Sequence, residues 1–392
     1  MTSVMKVLYV VNSTSLLGGA SKSLLVLLNG LVQKDVCPIV VTPDEKGIYN
    51  VLKSRGIQVY ALMYRPNTYP FLNSFRDLLM FVPRLLMRRI LSNLALNKVV
   101  KLCKKENVQI IHTNVSVIDV GFRASVKLHI PHIYHFREFC DIDFDEHYYP
   151  SKSNFYKSLK EFNSYSICIT KTLQEYHGLQ GPRSEVIYNG IEVNESSPHD
   201  NRDKSKFLYA GRIEPAKGLM QLINAYNLYK NKVRKPYTLL VAGDVCDRKY
   251  YKSVLKCIKD YGLDDYIIFL GGRKDIKNIM QEVSAVVVCS RFEAFGRCMP
   301  EAMGNRCLVI GKNTGGTKEQ FDNGLSLTGH EIGLRYDTVE DLMARLVEVS
   351  SASANAYEEM KQAAFETVVN LYSVKQNIEN VFSFYKKILC DN

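Results

Sequence analysis

No C-x-x-C pair and no short repeated spacing occurs among the ten cysteines, which run from Cys37 to Cys390. Their spread excludes a disulfide framework and a zinc ribbon, and it suits a reducing cytoplasm. No uninterrupted apolar stretch approaches the roughly 20 residues that a helix needs to cross a bilayer. The opening MTSVMKVLYVVNS holds one lysine and runs straight into strand-like sequence, so it reads as a first strand and not as a signal peptide with a cleavage site. There is no internal repeat of solenoid length and no low-complexity tract. No nucleic-acid-binding module is recognisable either, and basic residues alone supply only sequence-independent attraction, so no nucleic-acid partner is expected.

What remains is a chain of 392 residues with a 46% hydrophobic and 23% charged composition, ordinary for a globular protein and long enough for two cores. Short β-branched runs alternate with helical patterns throughout, which predicts an α/β fold with mostly parallel sheets. KVLYVVN, PIVVTP, QVYAL, VQIIHTN, HIYHFRE and YSICIT read as strands of a first half. KFLYAGR, YTLLVAG, IIFLG, SAVVVCS and CLVIG read as strands of a second. The polar stretch from Glu192 to Lys206 has linker composition. The expected domains are therefore 1–191 and 192–371. A closing helix at about 372–392, with Tyr372, Ile378, Val381 and Tyr385 gathered on one side, is free to pack on either.

The net charge is +11, and part of the excess is local: eleven Lys and Arg stand against three Asp and Glu between Arg65 and Lys127. From Arg76 to Lys105 the basic residues are interleaved with Leu, Met, Phe and Ile at helical spacing. Two readings stay open. One is a face for an anionic membrane surface. The other is a pair of amphipathic helices with lysines on the wet side.

Three segments carry candidate chemistry. After the first strand, Gly18 and Gly19 open a helix, where close backbone approach and free N–H groups suit an anion. It is not a P-loop, because Ser21 stands where the glycine before the lysine belongs. In LYAGRIEPAKGL, Arg212 and Lys217 fall in a strand-to-helix loop, where positive charge can receive a diphosphate leaving group. In EAFGRCMPE, Glu293 and Glu301 straddle another such turn. Pro300 suits a first helical turn, which places Glu301 at the positive end of the dipole, in position to accept ribose hydroxyls. Glu293 in the loop can hold sugar hydroxyls, and the Phe295–Gly296 backbone can donate to phosphate.

With these motifs the chain resembles the family 4 retaining glycosyltransferases of GT-B architecture, over nearly its whole length. The Gly18–Gly19 turn, the GR-x-x-x-x-KG segment and the Glu293/Glu301 pair carry the resemblance, with IYNGIEV and the Gly315–Gly316 turn before Glu319 in support. It implies two Rossmann-like domains with an interdomain cleft, a nucleotide-sugar donor held mainly by the second, an acceptor held mainly by the first, and a last helix that returns to the first. It further implies that His135, in HIYHFREF, approaches the transferred sugar, with Arg137 and Glu138 toward the acceptor. The implied donor-binding set is Gly18, Gly19, Arg212, Lys217, Glu293, Phe295, Gly296 and Glu301. The implied catalytic set is His135, Glu293, Arg212 and Lys217.

No metal or other cofactor is expected. Asp141, Asp143 and Asp145 alternate as in metal motifs, yet Glu146 and Lys152 occupy the positions where a calcium loop needs glycine and a bidentate acid. The expected activity is transfer of a hexose-type sugar from a UDP-sugar, or next a GDP-sugar, to a saccharide or lipid-linked oligosaccharide acceptor. The expected location is cytoplasmic, with peripheral contact at the inner membrane face. A nucleotide-sugar epimerase of the same architecture and a non-catalytic sugar-nucleotide binder are the alternatives.

Overall fold

The structure, a computed structural model, describes residues 4–16, 18–162, 164–193, 205–353 and 355–391. Most of the proposed linker, residues 194–204, lies outside the described residues. The chain divides into two compact units, one of residues 1–190 with 374–392 and one of residues 191–373.

The first unit is built on a seven-stranded parallel sheet of β1 (Met5–Val10), β2 (Val36–Thr42), β3 (Gln58–Ala61), β4 (Ile110–Thr113), β5 (His132–Phe136), β6 (Tyr165–Cys168) and β7 (Ser184–Val186), in the order β3-β2-β1-β4-β5-β6-β7. Strands buried on both faces need continuous apolar runs, and β1 supplies one, with Val7, Leu8, Tyr9 and Val10 all fully buried. Helix Gly19–Val32 covers one face through Leu24, Leu27, Leu28 and Leu31. The closing helix, Val374–Asp391, adds Ile378, Val381, Phe384, Tyr385 and Ile388 to the same core. Each such side chain contributes roughly 1.5–3 kcal/mol by leaving water. This helix starts later than its periodicity predicts. Tyr372 belongs to a π-helical turn, Val368–Tyr372, that stays with the second unit, and Ser373 is extended between the two.

The second unit repeats the plan with β8 (Lys206–Ala210), β9 (Thr238–Ala242), β10 (Ile267–Gly271), β11 (Ala285–Val288), β12 (Leu308–Lys312) and β13 (Leu334–Tyr336), all parallel in the order β10-β9-β8-β11-β12-β13. The sequence reading missed β7 and β13. Each is three residues long, SEV and LRY, too short to show a period.

The basic segment forms a short helix, Phe75–Leu79, and a 26-residue helix, Phe81–Glu106. From Ala95 onward the expectation of apolar residues inside and lysines outside is met: Ala95, Leu96, Val99 and Leu102 are buried and Lys98, Lys101 and Lys104 are exposed. Before Ala95 it is reversed. Val82, Leu86, Met87, Ile90 and Leu94 are exposed, while Arg84 and Arg88 turn inward. No helix among the described residues is long and apolar enough to cross a membrane.

Candidate functional site

In an open parallel sheet, ligands bind beyond the carboxyl ends of the strands where the strand order reverses. In the second unit that point lies between β8 and β11. The loops after β8, β11 and β12 carry Arg212 and Lys217, then Glu293 to Gly296, then Gly315 and Gly316. Hydrogen bonds tie the three together. Arg291 N–H donates to the Ala216 carbonyl at 2.9 Å, and Gly316 N–H donates to the Glu293 carbonyl at 2.8 Å. Thr314 Oγ1 donates to the Arg291 carbonyl at 3.1 Å, and Cys289 Sγ donates to the Lys217 carbonyl at 3.5 Å.

Two glycines permit this approach. Gly218 has φ +71°, and a Cβ there would lie 1.8 Å from the Cys289 carbonyl oxygen; Gly315 has φ +52°, and a Cβ would lie 2.8 Å from the Glu293 carbonyl oxygen. A side chain at either position would push the loops apart.

Lys217 Nζ and Glu293 Oε1 are 2.5 Å apart, each side chain only about one-fifth exposed (21% and 19%). The other two side chains singled out in sequence pair within their own segments. Arg212 Nη2 lies 2.9 Å from Glu214 Oε1, and Glu301 Oε1 lies 3.0 Å from Arg297 Nη2. Glu301 does stand in the first turn of helix Cys298–Gly304. Cys298 reports how close these groups are. Half-buried by area yet densely surrounded, its thiol is pushed far up by burial and then by Glu301, Glu293 and Cys289, against the pull of Lys217. The buried Tyr209 hydroxyl is pushed up by burial and then by Cys289, Tyr250, Cys298 and Glu214. Glu293, Glu301 and Lys217 thus act on one thiol over the strand reversal, and Glu214 acts on the Tyr209 hydroxyl beside it.

The Phe295 ring turns into the core, edge-on to Tyr372 with centroids 5.6 Å apart, and its carbonyl accepts from the Gln320 amide. Phe295 therefore faces the loop only with backbone. Gly296 next to it holds a left-handed φ of +76°.

In the first unit, Gly18 is the N-cap of helix Gly19–Val32, with φ −72° and no side-chain cap. A Cβ at Gly18 would meet nothing nearer than 3.8 Å, so local geometry does not demand glycine there. The turn leaves first-turn N–H groups at the helix end.

His135 is buried at the end of β5. Its Nδ1 lies 3.2 Å from Arg137 Nη2 and 3.1 Å from His112 Nε2, and its Nε2 has no partner among the described residues. His112 Nδ1 in turn lies 2.6 Å from the Tyr385 hydroxyl, which lies 3.0 Å from the Tyr9 hydroxyl. Guanidinium can only donate. His135 Nδ1 must therefore accept, which puts its proton on Nε2; His112 then donates through Nε2 and accepts from Tyr385. Burial, followed by Arg137 and the neighbouring histidine, holds His135 well below the usual imidazole range, so it is neutral.

Arg137 and Glu138, expected toward the acceptor, are both turned inward. Arg137 Nη1 donates to Asn189 Oδ1 at 2.6 Å, and Glu138 Oε1 accepts from Ser116 N–H and Oγ at 2.7 Å each. Burial lifts the Glu138 carboxyl to about 7 despite those bonds. The three alternating aspartates go separate ways. Asp143 accepts from the Phe139 and Cys140 N–H groups, Asp141 pairs with Lys152 at 3.1 Å, and Asp145 stands 3.8 Å from His147.

Sequence reasoning missed Glu214, Arg297, Cys298, His112 and Tyr385. Glu214 lies inside the GRIEPAKG motif, and its sequence spacing was the available signal. The meeting of His112 with Tyr385, 273 positions later, left none.

Two parallel-sheet Rossmann-like units define the GT-B class of glycosyltransferase folds. Residues 191–367 match the family described as glycosyl transferases group 1. The chain is 31% identical over 166 residues to a lipopolysaccharide 1,2-N-acetylglucosaminetransferase of Salmonella typhimurium, a stretch covering 38% of this chain and 42% of that enzyme. It is 22% identical over 208 residues to the N-acetyl-alpha-D-glucosaminyl L-malate synthase of Bacillus anthracis, covering 50% of this chain and 52% of that one. The matched stretches thus span about half or less of these curated relatives. Among solved structures, Anabaena Alr3699/HepE in complex with UDP superposes with a TM-score of 0.75 at 21% identity, covering 98% of this chain and 100% of that one. A glycosyltransferase from Rickettsia africae superposes at 0.77 with 18% identity, covering 99% of each. At such identities these structures speak for the fold.

Proposed function

We propose that the chain is a retaining glycosyltransferase of the family 4 type that moves a hexose-type sugar from a UDP-sugar to a saccharide or lipid-linked oligosaccharide acceptor, without a metal. The observation that carries this reading is the Lys217–Glu293 pair, set at the strand reversal of the second sheet with Glu301 acting on the same Cys298 thiol and Arg212 paired with Glu214 in the Lys217 loop. In the proposal the diphosphate displaces Glu293 from Lys217 and Glu214 from Arg212, and so takes both cations. The freed Glu293 accepts hydroxyls of the sugar, and Glu301 accepts those of the ribose. In the first unit, His135 keeps its Nε2–H for a saccharide hydroxyl. The acceptor hydroxyl attacks from the face the nucleotide leaves, which preserves the anomeric configuration.

The match to the glycosyl transferases group 1 family, and a structural neighbour bound to UDP, support a nucleotide-sugar donor. A further neighbour is described as a lipopolysaccharide outer core galactosyltransferase, which supports a cell-surface saccharide as acceptor. The exposed apolar face of residues 75–94, flanked by arginines, supports a peripheral position at the cytoplasmic side of an anionic membrane.

Incubation with radiolabelled UDP-glucose, with and without membrane extract, tests the reading. Acceptor-dependent release of UDP is expected, and Arg212→Ala and Lys217→Ala should each lower turnover by about 10²–10³. Near-normal turnover in both variants, or an altered sugar without UDP release, would overturn it.

A further inference from the structure

In the first four turns of helix Phe81–Glu106, the side chains turned to the protein body include two arginines, and five of the outward ones are apolar. Val82, Leu86, Met87, Ile90 and Leu94 are each 54–60% exposed. Spacings of three, four and seven residues put them on one face. The inward arginines are held in place: Arg84 by Asp77 at 2.5 Å, and Arg88 by the Thr68 carbonyl and hydroxyl at 2.6 and 3.1 Å. Phe75, Leu78 and Leu79, just upstream, are more than 60% exposed. A contiguous apolar ridge of this extent marks an interaction surface.

Behind the ridge lies a cavity of about 100 Å³ that opens to solvent, with Leu85, Leu86, Arg88, Arg89, Ser92 and Asp119 in its wall. Leu86 belongs to both the cavity and the ridge, so the two are continuous. Asp119 is buried. Its Oδ2 is shared by Arg89 at 3.7 Å and Arg123 at 3.6 Å, distances of charge attraction without a short hydrogen bond, while its Oδ1 has no hydrogen-bond partner among the described residues. A buried carboxylate oxygen without a donor is an unmet demand. Arg89, half exposed and loosely tied, is the movable cover over it.

We propose that this cavity seats the polar head of a lipid-linked saccharide while the ridge carries its hydrocarbon chain. A sugar hydroxyl donates to Asp119 Oδ1, the lipid's phosphate draws Arg89 aside, and the chain lies along Leu86, Met87, Ile90 and Leu94. The charge matches, since Arg88 and Arg89 flank the mouth. An apolar tail and an anionic, hydroxyl-bearing head on one molecule account for ridge, arginines and orphan oxygen together. The assignment rests on the proposed glycosyl transfer and names the acceptor class for it.

The chain contains no tryptophan, so Ile90→Trp places a single reporter on the ridge. Farnesyl diphospho-N-acetylglucosamine, below its aggregation concentration, is the probe. Saturable quenching or a blue shift is expected, with binding at least tenfold weaker in Arg89→Gln and in Ser92→Leu, which fills the cavity. Farnesyl diphosphate without sugar should bind at least tenfold more weakly than the probe, and phosphatidylglycerol vesicles should bind Ser92→Leu within twofold of the parent and Arg89→Gln no more than about fivefold more weakly, the share of one surface charge. Unchanged probe binding in the variants overturns the proposal, as does equal binding of farnesyl diphosphate or equal losses on vesicles, since a general phospholipid site would then suffice. Should Ser92→Leu not fold, the surface change Arg89→Gln decides alone. UDP-induced thermal stabilisation, read in parallel, separates the two readings: its loss strikes the donor site, whereas its presence without probe binding strikes this one.

Discussion

Replacing Glu293 by glutamine should make the protein bind UDP more tightly while transferring sugar more slowly. In the structure Glu293 Oε1 lies 2.5 Å from Lys217 Nζ. Two unit charges with centres about 4 Å apart attract by about 4 kcal/mol at an effective dielectric of 20. Both side chains keep about one-fifth of their surface exposed (21% and 19%), and exposed pairs retain only about 0.2–1 kcal/mol. A net value of about 1–2 kcal/mol lies between these bounds, so freeing Lys217 should tighten UDP roughly 5- to 30-fold. The neutral amide would still hold the loop but would accept sugar hydroxyls less strongly, so kcat with UDP-glucose should fall. Calorimetric titration of UDP into the parent, Glu293→Gln, Lys217→Ala and the double variant forms a cycle that isolates the coupling. Lys217→Ala should cost more in the Glu293→Gln background than in the parent. If UDP binds no more tightly and the two changes simply add, the diphosphate does not compete with Glu293 for Lys217, and the proposed placement of the leaving group fails.

Gly218→Ala would drive a methyl group against the Cys289 backbone at a left-handed φ, costing about 3 kcal/mol or more and lowering the melting temperature by roughly 6–12 °C. Gly262→Ala, where φ is +60° with open space around it, should cost only about 1–2 kcal/mol in the same melts. Because the Glu138 carboxyl rises from 4.5 to about 7 on folding, its protonation favours the native state below the unfolded value, and that contribution is lost as pH climbs through 7. Urea titrations should therefore show Glu138→Gln gaining on the parent between pH 5 and 8, by up to about 3 kcal/mol, and a constant difference would refute the burial argument. Tyr385→Phe leaves His112 Nδ1 without its donor, at about 1–3 kcal/mol, and long-range proton–nitrogen spectra should show the Nε2–H tautomers of His112 and His135 present in the parent but disturbed in the variant. Serine at Val82, Leu86 and Ile90 together should abolish flotation with phosphatidylglycerol vesicles while leaving the fold intact, since none of the three is buried.

Much of the fold was legible because parallel strands covered on both faces must be written as apolar runs, and those of β1, β4, β8 and β11 are bounded by Gly, Asn or charge. The strands that escaped, β7 and β13, each hold three residues, so neither presents a run to read. The long helix misled for a different reason. Hydrophobic spacing shows that Val82, Leu86 and Ile90 share a face, but it assumes that the face turns inward. Arg84 and Arg88 turn inward in their place because Asp77 and the Thr68 carbonyl lie there to receive them, and no periodicity encodes those partners.

The same limit governs the site. Positive and negative residues in strand-to-helix loops could be found from spacing alone, since a loop after a parallel strand must open at the carboxyl edge. Which charge holds which could not. Lys217 meets Glu293 across 76 positions, while Arg212 settles on Glu214 two residues away, and the sequence presents both cations in the same way. The difference has a physical origin: Gly218 and Gly315 let the Lys217 loop and the helix Gly315–Thr328 press against the chain around Cys289 and Glu293, which brings Lys217 to the carboxylate. Arg212 lies before Gly218 in the same loop and keeps nearly half its side chain in solvent, at 46% exposure. A diphosphate would therefore recruit the two cations at different cost. Arg212 gives up a mostly hydrated pair, and Lys217 a largely desolvated one whose partner must at once find new donors. The hydroxyls of a bound sugar are such donors. This couples release of Lys217 to the presence of the sugar, so a nucleotide carrying its sugar should gain more from Lys217 than UDP alone does.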